Sequence, residues 1–91
     1  MAQSKKARPT WIKVLAYLTH KAELDEWVTN EEMAKDIKGG YCARNYLTKH
    51  GRICNQGIEI LTDGPRRKGF IRYKLHLDSI RAARIILAQY Q

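Results

Sequence analysis

Two groups of residues in this 91-residue chain have the types and spacing to do chemistry. The first is Arg44, Asn45, Thr48, Lys49 and Arg52, with Tyr41 just ahead of them. On a helix running from about Tyr41 to Cys54 these side chains share one face, opposite a stripe of Ala43, Leu47, His50 and Cys54. The polar face holds no acid, whereas a merely solvated helix face usually mixes Glu with Lys. Arg and Asn pair with base edges in a major groove, and Thr, Lys and Arg also bind phosphates. The second group is Arg66-Arg67-Lys68, set between Gly64-Pro65 and Gly69. Three consecutive cations at a loop tip repel one another and contribute nothing to folding; a phosphate backbone relieves that repulsion.

Other chemistries find less support. His20, His50 and His76 are far apart in sequence. His50 and Cys54 lie one turn apart on the expected helix, but a structural zinc site takes four ligands, and Cys42 is two further turns away. Cys42 and Cys54 on that helix are roughly 18 Å apart, at about 1.5 Å per residue. A disulfide needs less than about 7 Å. The chain has no phosphate-cradling glycine loop, no nucleophile elbow and no carboxylate pair on the basic face. The expectation is a non-enzymatic protein with no metal, no cofactor and no small-molecule ligand.

The elements that must position the two groups follow from periodicity. Residues 1–9 lack apolar periodicity and read as a flexible basic tail, either an arm that meets phosphates or an end without a role. A first helix spans about Thr10 to Leu24, with Thr10 as N-cap and Trp11, Val14, Leu15, Leu18 and Ala22 on one stripe. A second, short helix carries the clearest local signal. Thr29 and Glu32 form a capping box, Val28 and Met33 a hydrophobic staple, and Gly39-Gly40 ends it. Asn55-Gln56-Gly57 stops the Tyr41–Cys54 helix. Ile58–Leu61 and Phe70–Leu75 read as two strands, Ile71, Tyr73 and Leu75 alternating with Arg72 and Lys74. A last helix begins near Asp78 as N-cap and runs to about Gln89, with Leu77, Ile80, Ala83, Leu87 and Tyr90 on its apolar stripe. Ile86 makes that stripe wider than a small core needs, which points to a homodimer through this helix.

Charge is spread unevenly along the chain. Residues 1–36 hold six Lys and Arg against six acids; residues 37–91 hold eleven against three, and so carry the whole net charge of +8. A basic field of this kind favours a polyanion. No apolar run approaches the eighteen or so residues that span a bilayer, and no apolar stretch follows the basic N-terminus as in a secretory signal. The expected location is cytoplasmic and nucleoid-associated, without a membrane.

The order helix, helix, turn, helix, hairpin, helix over residues 10–91 resembles the winged helix-turn-helix family. Thr29 to Gln56 is similar to its helix-turn-helix. Gly57-Ile58-Glu59-Ile60 and Gly69-Phe70-Ile71-Arg72-Tyr73-Lys74-Leu75 are similar to its wing. Ala34 is followed four positions on by Lys38, with glycine only at 39 and 40, so the turn is one or two residues longer than the compact form. The resemblance implies an α+β fold: a three-helix core, a two-stranded β-hairpin wing and a C-terminal helix. It also implies a sequence-specific binder of double-stranded DNA, a small transcriptional regulator of phage, plasmid or mobile-element type. In that role Tyr41, Arg44, Asn45 and Thr48 face bases, Lys49 and Arg52 hold phosphates, and Arg66, Arg67 and Lys68 clamp the flanking backbone. The alternatives are an RNA-binding or ribosome-associated domain, for which few exposed aromatics are available to stack bases, and a protein-interaction module.

Overall fold

The structure, a computed structural model, describes residues 9–48, 50–64 and 71–90. Its elements in order are α1 (Thr10–Glu23), β1 (Val28–Thr29), α2 (Asn30–Asp36), α3 (Ala43–Leu47), β2 (Ile60–Asp63), β3 (Arg72–Leu75) and α4 (Ile80–Ala88). The fold is α+β, with four α-helices and a small antiparallel sheet of order β1-β3-β2.

α1 is the central element. Its first turn is closed by Pro9, whose carbonyl accepts from the Ile12 and Lys13 N–H groups at 3.0 and 3.2 Å; Thr10 is inside the helix and is not its cap. α1 packs on α4, on β3 and on α3. That is why Ile12, which the expected stripe did not include, is buried as fully as Val14 and Leu15. Buried Thr19 satisfies its hydroxyl on the Leu15 carbonyl at 2.7 Å. The helix ends with Asp25 in the left-handed region at φ 58°. Asp25 N–H reaches Ala22 O and Glu26 N–H reaches Lys21 O, a Schellman closure in which Asp stands where Gly is usual.

The sheet has a strand that periodicity does not predict. Val28 and Thr29 pair with Tyr73 and Arg72, so the hairpin is extended to three strands. A two-residue strand carries no period to detect, and only its partner defines it. Thr29 then serves directly as the N-cap of α2. Its N–H donates to Glu32 Oε1 at 2.9 Å and its hydroxyl accepts from Glu32 N–H at 3.2 Å, the expected capping box. Val28 and Met33, the expected staple, are both fully buried. β2 and β3 pair from Ile60↔Leu75 to Asp63↔Arg72. Tyr73 and Leu75 face the core and Arg72 faces solvent, as their alternation requires.

The long third helix is corrected. α3 has only five residues and stops where Thr48 becomes extended (ψ 166°). Leu47 and Ile53 are both core residues. Six positions apart, they would sit about 120° apart around a continuous helix, at the two edges of a broad stripe. Instead the chain turns back at Thr48. Ile53 N–H donates to Tyr46 O at 3.2 Å, the Thr48 hydroxyl to Asn45 O at 3.3 Å and the Cys54 thiol to Leu47 O at 3.6 Å, which satisfies the carbonyls at the end of α3. A second correction concerns the start of α4. Asp78 belongs to a 3-10 turn, Leu77–Ser79, that the His76 ring caps by accepting from Asp78 N–H at 3.0 Å. Ser79 is buried and its hydroxyl accepts from Glu59 N–H at 2.9 Å, pinning the start of α4 to the chain entering β2. Leu77 is off the inner stripe and 68% exposed.

Candidate nucleic-acid interface

α3 is held from both ends by glycines in close contact with backbone. Ile37 ends α2 in an extended conformation, Gly39 takes φ 81°, and Gly40 opens a 3-10 turn, Gly40–Cys42, that leads into α3. A Cβ at Gly40 would lie 2.0 Å from the Met33 carbonyl oxygen. Beyond α3, a Cβ at Gly51 would lie 2.4 Å from Tyr46 O. Between them, Asn30 Oδ1 accepts from the Arg44 N–H at 3.1 Å and ties the first turn of α3 to the first residue of α2. Nothing in the sequence singles out Asn30 beyond its place after the cap.

Arg44 and Asn45 are exposed on α3, and Thr48 is exposed at its C-cap. Tyr41 is 74% exposed in the preceding 3-10 turn, and a hydrogen bond with the Cys42 thiol raises its phenol above the ordinary value. These four are close along one short segment. Arg52 is not on the same helix. It lies in the returning turn, with its guanidinium 5.4 Å from the centre of the Trp11 ring, where a cation is attracted to the aromatic face. Trp11 in turn meets Tyr90 edge-to-face at 5.9 Å. Lys49, Arg66, Arg67 and Lys68 lie outside the described residues, as do positions 1–8 of the expected tail.

A groove of about 650 Å³ runs between α3 and the hairpin, with Arg44, Leu47 and Thr48 on one side and Thr62, Gly64 and Ile71 on the other. Gly64 and Ile71 are the described residues on either side of the segment whose sequence contains Arg66-Arg67-Lys68, and of the first cationic group Arg44 and Thr48 line this groove.

The linear charge asymmetry is partly cancelled in three dimensions. Arg72 pairs with Asp63 across the β2–β3 ladder, Lys74 with Asp25, and Arg84 with Glu23. Arg72 and Lys74 also flank the Trp27 ring at 5.5 and 5.7 Å. The pair with Lys74 lowers the Asp25 carboxyl below its ordinary range. Asp25 of the loop after α1 and Asp63 of β2 thus neutralise the two cations of the outer sheet face. Among the described residues, Lys13, Lys35, Lys38, Arg44, Arg52 and Arg81 carry no ion pair.

At the other end of α2, the Tyr17 hydroxyl donates to Asp36 Oδ2 at 2.7 Å. Burial, this hydrogen bond and the neighbouring negative charges push its pKa up to about 12. Since folding raises the value from 10.0, un-ionised Tyr17 stabilises the fold fully below pH 10, and that contribution is lost between about 10 and 12. Tyrosinate absorbance across an alkaline titration is expected to show a late step near pH 12 that Tyr17→Phe removes.

Both cysteines are free, and burial raises the Cys54 thiol pKa. Among the described residues no three His, Cys, Asp or Glu side chains come together as a metal site, and no helix is long and apolar enough to cross a membrane. No protein-family model, curated protein or solved structure matches this chain.

Proposed function

We propose that this protein is a sequence-specific double-stranded DNA-binding protein of winged-helix type, a small transcriptional regulator without catalytic activity. One observation carries the reading. Arg44, exposed on a helix locked by Gly40 and Asn30 with exposed Asn45 beside it, lines a groove whose other bank is the hairpin with the loop sequence Arg66-Arg67-Lys68, and the acid on that bank, Asp63, is paired with Arg72. The element order and the strand order β1-β3-β2 support the same reading. In it, α3 enters the major groove, Arg44 and Asn45 meet base edges, and Tyr41 and Thr48 flank them. Lys38, Lys49 and the hairpin loop hold phosphates on either side. The net charge of +8 supplies the long-range attraction.

The test is selection from random duplex DNA at about 0.15 M salt, with duplex RNA and single-stranded DNA as competitors. Enrichment of a defined duplex site, with affinity falling steeply as salt rises, is the expected outcome. Equal binding to all duplexes, or preference for RNA, would replace this reading with an architectural or RNA-binding role.

A further inference from the structure

The outer face of α4 is unused by the groove described above. Leu77 and Ile85 are 68% and 59% exposed, and with Ile80, Arg81, Arg84 and Ala88 they line a shallow groove of about 680 Å³. An apolar strip of this kind marks a contact surface, and its charge decides what it meets. Ile80–Ala88 contains no acid. Arg81 is exposed without an ion pair among the described residues, and Arg84 stands on the same rim.

We propose that this face docks an acidic amphipathic segment of another protein, laid along α4 as a helix in a groove. Leu77, in the 3-10 turn, and Ile85, on α4, are eight residues apart, about 13 Å along the axis at ~2.0 Å per residue in the turn and ~1.5 Å in the helix. The segment therefore offers two apolar anchors seven or eight residues apart, with Asp or Glu between them facing Arg81.

Charge argues against the other occupants. The parts of the chain outside the described residues contain Lys5, Lys6, Arg8, Lys49, Arg66, Arg67 and Lys68 and no acid, so they would bring like charge to Arg81. A second copy pairing α4 with α4 would bring the unpaired Arg81 of both copies to one seam, Arg84 being held by Glu23. The copy's acid-flanked apolar residue, Leu24, serves no better. Its neighbours Glu23, Asp25 and Glu26 are engaged with Arg84, Lys74 and Lys21 of their own chain. The wide apolar stripe that suggests a homodimer thus fits an acidic partner better.

The experiment uses the full chain and a labelled designed peptide with leucines at i, i+4 and i+8 and glutamates between them, followed by fluorescence anisotropy. A control peptide has lysine in place of every glutamate. The glutamate peptide is expected to bind at least about tenfold more tightly than the lysine peptide, as opposed charges across a contact dictate. Ile85→Glu is expected to abolish binding, and Arg81→Glu to reverse the preference between peptides. Circular dichroism confirms that both variants fold. Equal binding to the two peptides, or binding to neither, overturns the proposal. So does a dimer in sedimentation velocity that Ile85→Glu dissociates, which would give the face to a second copy. None of these readouts depends on DNA.

Discussion

Gly40→Ala is expected to be among the most damaging single-atom changes in this protein, lowering stability by about 3 kcal/mol or more. An added Cβ would sit 2.0 Å from the Met33 carbonyl oxygen and 2.6 Å from its carbon. Both are backbone atoms of α2, so no side chain can swing aside. Overpacking that moves backbone costs roughly 1–3 kcal/mol and at times more. Here it also opposes the Gly40 N–H to Ile37 O bond of 2.9 Å that closes the turn. For a domain of this size 3 kcal/mol corresponds to a fall in Tm of roughly 12 °C or more. The control is Gly57→Ala. Gly57 has φ 83° but nothing within 4 Å of its Cβ position, so the substitution costs only the left-handed penalty, about 1 kcal/mol. Thermal denaturation of the two variants separates steric overlap from backbone conformation. Equal Tm losses would mean that α2 and the turn are not packed as described. Because Gly40 sets where α3 begins, its alanine variant is also expected to lose DNA binding in proportion to the unfolded fraction and beyond.

The same residues show what a sequence can disclose here. The capping box of Thr29 and Glu32 was legible because it is a local device: both partners lie within one helical turn and their chemistry is specific. The stripes of α1 and α4 were legible because a core imposes a period. Three things were not. β1 is two residues long and exists only because β3 lies beside it. α3 ends at Leu47, where the chain turns back and Ile53 and Cys54 bond to the Tyr46 and Leu47 carbonyls, contacts seven residues apart that leave no helical period to detect; Gly51 was its only local trace. The charge asymmetry between the two halves is real along the chain, but Glu23 and Asp25 fold onto Arg84 and Lys74. The cationic surface that remains is narrower than the composition implies. For the candidate interface, Arg44, Asn45 and Thr48 came through together on one short segment. Arg52 did not, because it reached that face only on a helix that does not continue.

Arg44→Ala is expected to have the largest effect on recognition, and the outcome separates base reading from simple attraction. Arg44 is exposed, and its side chain makes no ion pair among the described residues. Its truncation should therefore change stability by no more than about 0.5 kcal/mol. If its guanidinium meets a base edge, the variant loses about 1–3 kcal/mol on the selected site and little on random duplex, so specificity relaxes. The hairpin loop predicts the opposite pattern. Arg66→Ala with Arg67→Ala should weaken selected and random duplexes alike. It should also reduce the slope of log affinity against log salt by roughly 1.8, about 0.9 for each phosphate no longer neutralised. Arg72→Ala is the internal control, because Arg72 is already engaged by Asp63 and the Trp27 ring. Removing it should leave the salt slope nearly unchanged even though it is a cation on the same hairpin. A loss on Arg44→Ala that is equal for all sequences would move that residue to the phosphates. An unchanged slope for the double variant would take the loop off the backbone. A large slope change for Arg72→Ala would mean that DNA displaces Asp63, so that the neutralised sheet face also joins the interface when DNA is bound.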